Sequence, residues 1–362
     1  MYYFSVPLPY EKERVDDFFK INKEFSLSKI ETLYNSLPTT AEGYTGFEQP
    51  RSNIGKNITN IDDFINLIEY TQNLGFQFIY LLNSLQPLDI ENPQKSEEKF
   101  EKLDILINAL KKVGVNKYRV ANPQLIYHLN KYYPDIEIYL SISYGYYSIK
   151  QFENLLKSLH NVKEIIPTYE QNKNFTLLKN LKTKFPNTNI ELMANEGCIQ
   201  GCPYRAAHLM AMLPQNTKFN KEYISFYGKS CHSIKEEDYW SYICTSGVIY
   251  PWQLKEYEQI GINRFKFVGR ESILFGTKGY STFTRMYLKS IEDESYADML
   301  PHNIFSTYLW NGNSPILIKD IKNFLPQIEY FKKHGAECSS KCGVECNYCY
   351  KCAEELREKF GN

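Results

Sequence analysis

The chain has no surplus of charge. Its 362 residues carry 42 Lys and Arg against 42 Asp and Glu. That balance removes any global electrostatic case for nucleic acid and leaves only a local basic patch as a route to it. Long hydrophobic runs are also missing: no apolar stretch approaches the roughly 18–20 residues of a membrane span. The first residues, MYYFSVPLPYEKER, lack the basic start, apolar run and small-residue cleavage site of a secretory leader. A cytosolic protein is expected, without membrane partners. Hydrolase signatures are absent too, with no G-x-S-x-G and no HExxH. What remains is an ordinary globular composition, 43% hydrophobic and 23% charged, long enough for a large core.

Cysteine is the one reactive residue type present in a pattern. Nine cysteines in a reducing compartment argue against disulfides and for metal ligation. Five fall in CSSKCGVECNYCYKC, Cys338 to Cys352, and the other four are Cys198, Cys202, Cys231 and Cys244.

Short β-rich runs alternate with helical segments at a spacing of roughly 25 residues, the rhythm of parallel strands joined by right-handed crossovers. The strand candidates are YYFSVPL at the start, then Phe76–Asn83, Asn116–Asn122, Ile136–Ser143, Val162–Thr168, Ile190–Asn195 and Arg264–Gly269. Their apolar residues occupy both parities, as in strands buried on both faces. A TIM-like (β/α) barrel, complete or partial, over residues 1–290 is the expected fold; a doubly wound open sheet is the alternative. Residues 291–337 read as an irregular and helical connection packed on the barrel, and 338–362 as a small cysteine-rich, metal-binding appendage.

Barrel chemistry sits at the C-terminal ends of the strands. Those ends supply Asn83, Asn122, Ser143 with Tyr144, Thr168 with Glu170, Asn195 with Glu196, and Gly269 with Arg270. The strand IELMAN runs straight into EGCIQGCPYRAAH, which sets Cys198 and Cys202 on a strand-end loop, with Cys231 and Cys244 further along. One close pair and two distant single cysteines suit a four-iron cluster better than the paired CxxC grip of zinc, although zinc stays open. Glu196 is a candidate acid/base, and His208 a proton donor or an ordinary structural histidine. Arg205 and Arg270 are candidate anion binders. Lys266 lies along a strand.

Cys342, Cys346 and Cys349 form a literal Cys-x3-Cys-x2-Cys, the spacing of a radical S-adenosylmethionine enzyme. Only thirteen residues follow Cys349, too few for the barrel that such a motif precedes. Four of the five tail cysteines are therefore expected to hold a second iron–sulfur cluster or a zinc ion.

NEGCIQGCPYR, two further cysteines and then YPWQLKEYEQIGINRFKFVGR together resemble the core of the peptidase U32 family and its U32-like relatives. The likeness spans most of residues 30–290, with PDIEIYLSIS, VKEIIPTYEQN and IETLYNSLPTTAEGYTG as weaker parts. It implies a 4Fe-4S cluster on Cys198, Cys202, Cys231 and Cys244 at the barrel mouth. The implied activity is redox modification of a small molecule, peptide or nucleotide, of the oxygen-independent hydroxylation type, with an electron-transfer partner. Other members carry a collagenase-like protease label, and a peptidase or a non-catalytic metal-binding scaffold stays open beside it. Here Phe267–Val268 replaces the family's Ile-Glu, and Asn35 stands where relatives have Gly. The basic and aromatic stretch RESILFGTKGYSTFTRMYLK keeps RNA as a less favoured partner.

Overall fold

A computed structural model of the chain describes residues 1–48, 58–85, 93–211, 218–269, 279–305, 316–342 and 344–361. Eight parallel strands close into a barrel in sequence order. They are β1 (Tyr2–Pro7), β2 (Ser28–Asn35), β3 (Gln77–Leu82), β4 (Lys117–Val120), β5 (Glu137–Leu140), β6 (Val162–Ile165), β7 (Asn189–Met193) and β8 (Arg264–Lys266). β8 pairs with both β1 and β7, which closes the ring and removes the open-sheet alternative.

Seven strands match the sequence reading, and β2 is the one it omits. SKIETLYN mixes Lys29, Glu31 and Thr32 with its apolar residues. Its Glu31 is satisfied by an ion pair to Arg264 rather than by water alone.

The crossover helices are α1 (Lys12–Glu24), α2 (Ile61–Asn73), α3 (Pro93–Lys112), α4 (Pro123–Tyr132), α5 (Ile149–Leu156) and α6 (Phe175–Lys184). Local sequence starts and stops them. Asn60 caps α2 by accepting from the Asp63 N–H, and Gly75, at φ 88°, turns the chain out into β3. Ser148 and Gln151 form a reciprocal capping box at α5.

Between β7 and β8 lie α7 (Arg205–Ala211), α8 (Lys218–Glu237), α9 (Tyr239–Thr245) and α10 (Leu254–Glu258). Cys231 is therefore on α8 and Cys244 on α9, in helices rather than in the loops expected for them. After β8, α11 (Gly279–Glu292) packs on α1, and α12 (Glu294–Asp298) and α13 (Ile318–Ile321) follow. α14 (Ile328–His334) packs on α6, and α15 (Cys338–Lys341) and α16 (Tyr348–Phe360) carry the tail cysteines. α16 lies against α9. No helix among the described residues is long and apolar enough to cross a membrane.

Phe78, Tyr80 and Leu82 of β3 face the helices, within one large core that also holds Phe64, Leu103 and Ile107. Ile79 and Leu81 point the other way and form a separate cluster with Tyr34 of β2 and Tyr139 of β5. That cluster is the barrel lumen, since β2 and β5 are not neighbours. The lumen is not uniformly apolar, as both-parity burial suggested: Arg119, Glu164, Glu191 and Lys266 are all buried at strand positions.

Candidate functional site

The lumen charges form a network before they form a site. Arg119 of β4 reaches Glu164 of β6 at 2.6 Å and Glu191 of β7 at 2.5 Å, with all three side chains at 2–3% exposure. Burial drives Glu164 above the usual carboxylate range, helped by the charge on Glu191. Burial works the same way on Glu191, but Arg119, Lys266 and a hydrogen bond from Ser5 outweigh it and hold Glu191 low. Lys266 of β8 sits 3.3 Å above the Tyr34 ring, a cation–π contact that replaces part of its lost hydration. The Tyr34 hydroxyl in turn donates to the Phe267 carbonyl. The Nε–H of Arg119 is buried and has no hydrogen-bond partner among the described residues.

Above this floor a cleft opens at the C-terminal ends of the strands. Its volume is about 640 Å³, counting the part open to solvent. Residues from β2 through β8 and from α7 line it, among them Tyr34, Asn83, Arg119, Ser141, Ser143, Glu196, Cys198, Arg205 and Lys266. Three cations thus share one cleft with a carboxylate and a thiol.

The cysteine loop is tied down from three sides. The Tyr169 hydroxyl donates to the Ile199 carbonyl at 2.5 Å. Glu170 accepts from the Gly201 N–H at 2.8 Å, and Tyr242 donates to the Gly197 carbonyl at 2.9 Å. Gly201 takes φ 65°, a left-handed turn that suits glycine. Arg205 lies over the Tyr169 ring at 4.4 Å. Burial disfavours its charge, yet the neighbouring Cys198 and Glu196 outweigh that and raise its affinity for the proton. A guanidinium beside a thiol is the arrangement that favours a thiolate.

Of the residues expected at the site, Asn83, Glu196, Cys198 and Arg205 line the cleft. Glu170 and Asn195 support it from behind: Glu170 holds the cysteine loop, and Asn195 bridges β7 to β8 by bonding both the N–H and the carbonyl of Val268. Asn122 is a helix cap, accepting from the Gln124 and Leu125 N–H groups at the start of α4. Tyr144 is exposed and packs on Tyr146 at 4.9 Å. His208 faces Tyr227 on α8, with ring centroids 6.0 Å apart. Arg270 lies outside the described residues. The sequence reading missed Arg119, Glu164, Glu191 and Tyr34. A charged residue in the middle of an otherwise apolar strand, as in KYRV, VKEI and NIELM, was the available signal.

The cysteines fall into two regions. Cys198 faces the cleft, Cys202 ends the same loop, and Cys231 is half-buried on α8. Cys244 is buried on α9, and its thiol is pushed well up by burial and then by Cys352 and Cys349, against the pull of Lys173. Cys338 is raised to about 11 by burial and by Cys349, Cys346 and Cys342, again against Lys173. Cys352 is raised to about 11 by burial and then Cys349. Cys244 thus lies on the helix that packs against α16, the helix of Cys349 and Cys352, and its carbonyl accepts from Lys173 at 2.8 Å. Among the described residues no three His, Cys, Asp or Glu side chains are placed to hold a metal ion.

No family model matches the chain, and no curated protein matches it at a significant level. Among solved structures, a U32 peptidase aligns over 61% of this chain and 84% of its own, at 12% identity and a TM-score of 0.43. An α-amylase from Lactobacillus plantarum aligns over 84% of this chain and 81% of its own, at 9% identity and a TM-score of 0.36. These likenesses assign no chemistry to the chain.

Proposed function

We propose that the chain is a (β/α)8-barrel enzyme that takes a small anionic substrate at its barrel mouth. The observation that carries this is the convergence of Arg119, Arg205 and Lys266 on one cleft with Glu196 and Cys198. The cleft lies where barrels do their chemistry. Arg205 and Lys266 hold the anion, Asn83, Ser141 and Ser143 supply neutral hydrogen bonds, and Arg119 with its two carboxylates fixes the floor. Cys198 is the nucleophile or soft ligand, and Glu196 the proton carrier.

The redox reading is the finer version of this proposal: iron–sulfur-dependent modification, of the oxygen-independent hydroxylation type, of a small molecule, peptide or nucleotide. Its support is the pair of thiols on the mouth loop, Cys198 and Cys202. Its expected fourth ligand, Cys244, sits with the tail instead, so no step is routed through a cluster at the mouth.

The test is calorimetric titration of wild type, Lys266→Met and Arg205→Met with inorganic phosphate and with a small dicarboxylate, folding being checked by circular dichroism. Binding weakened about tenfold or more in both variants supports the proposal. Equal binding by wild type and folded variants, or binding of neutral sugars alone, overturns it. Peptide cleavage without any redox partner would select the hydrolase reading of the same cleft.

A further inference from the structure

The tail cysteines surround a lysine that the chain has no evident need to place there. Lys173 lies between β6 and α6, donates to the Cys244 carbonyl at 2.8 Å and sits 5.0 Å above the Phe331 ring. Its charge is felt by Cys244, Cys338, Cys342, Cys349 and Cys352. Cys349 is the common neighbour, within electrostatic reach of every other cysteine of the group.

The docking around them is close and specific. A Cβ on Gly335 would come within 2.3 Å of the Lys173 carbonyl, so the backbone before the tail presses directly on the barrel. Trp240 of α9 donates to the Gly361 carbonyl at 2.7 Å, and Arg357 of α16 pairs with Asp238 at 2.6 Å. The Tyr330 hydroxyl lies 3.2 Å from the Cys346 sulfur. All the cysteines are free thiols.

Packing alone accounts for the two buried members, Cys244 and Cys352, because a buried cysteine behaves as a small apolar side chain. It does not account for exposed Cys342 and half-buried Cys338 lying within reach of the same ammonium. Thiolates around a metal leave a net negative centre, which a fixed cation offsets.

We propose that Cys244 joins the tail cysteines, with Cys349 at the centre, in holding a thiophilic metal centre charge-balanced by Lys173, which fastens the C-terminal helix to the barrel. The ligands come from both sides of the α9–α16 contact, so metal binding and docking are one event. As they stand, no three of these described thiols are placed to hold a metal; each can be re-aimed by a change of its single χ1 between staggered positions.

The experiment uses the full chain, purified anaerobically, with iron, acid-labile sulfide and zinc quantified in wild type, Cys244→Ser, Cys349→Ser, Lys173→Met and Cys198→Ser. Protease sensitivity beyond residue 337 is read in parallel. The expected result is a several-fold loss of metal and faster tail cleavage in Cys244→Ser and Cys349→Ser, a smaller loss in Lys173→Met, and retention in Cys198→Ser. Iron with equimolar sulfide, or zinc without sulfide, identifies the metal and supports the site in either case. Should the serine variants fail to fold, cobalt(II) titration of the metal-stripped wild type stands in, and a thiolate-to-cobalt absorption band with protection of the tail supports the proposal. Full metal in folded Cys244→Ser, or no metal and no cobalt band in wild type, overturns it.

Discussion

The mouth and the tail pair cysteine with a cation in opposite ways. At the mouth, Cys198 stands beside Arg205 over an open cleft, on a loop held by Tyr169, Glu170 and Tyr242. At the tail, five cysteines feel the charge of Lys173, beside the docking contact between α9 and α16. One thiol beside a cation, facing solvent, has the environment of a reactive group. Many thiols around one cation, with protein on both sides, have the environment of a ligand set. Cys244 decides how the two are divided, and the structure puts it on the tail side.

Four predictions sharpen the contrast. The largest effect belongs to the mouth. Arg119→Met leaves Glu164 and Glu191 buried without their cation and is expected to cost about 3–5 kcal/mol in urea denaturation. Adding Glu164→Gln and Glu191→Gln should restore a large part of that loss. Failure to recover would mean that Arg119 acts through packing rather than through charge.

Next comes the tail. Gly335→Ala forces a methyl against the Lys173 carbonyl and should cost about 1–3 kcal/mol, as overpacking does. Limited proteolysis should then cut beyond residue 337 sooner than in wild type, while anion binding at the mouth stays as it was. Weakened anion binding in Gly335→Ala would break the separation of the two regions.

A smaller effect tests which strand-end residues belong to the site. Asn122→Ala removes a helix cap and is expected to cost about 1 kcal/mol in thermal stability, with no change in phosphate binding by calorimetry. A binding defect would return Asn122 to the substrate site.

The smallest effect is a pH dependence on the tail side. His302 stacks on Trp240 at 5.8 Å and bonds to Tyr239 and to the Ile316 carbonyl. Burial lowers its pKa below the ordinary 6.5. The unfolded chain therefore binds the extra proton more readily. The stability that neutral His302 contributes is complete above pH 6.5 and is lost as the pH falls through its lower folded value. The melting temperature should drop between pH 7.5 and 5.5 by more in wild type than in His302→Gln. Equal drops would remove His302 from the account.

The barrel was legible in the sequence because βα units repeat and because caps such as Asn60 and Asn122 mark where helices begin. β2 was not, because its Lys29, Glu31 and Thr32 dilute the apolar signal while an ion pair to Arg264 satisfies one of them across the ring. The cleft was half legible. Polar residues at strand ends pointed to Asn83, Glu196 and Arg205, but the same rule also selected the cap Asn122 and the exposed Tyr144. The lumen charges escaped because each becomes meaningful only beside partners far along the chain: Arg119 and Glu191 are 72 positions apart. Cys244 shows the same difficulty: sequence spacing grouped it with Cys231, whereas α9 packs against the helix that carries Cys349 and Cys352.

The division of the cysteines is open to direct measurement. Metal-stripped, full-length protein would be treated with a short bifunctional thiol cross-linker, and the linked peptides identified by mass spectrometry. The account predicts Cys244 linked to Cys349 or Cys352, with Cys198 linked to neither. Cys244 linked to Cys198 or Cys202 would return it to the mouth and contradict the account.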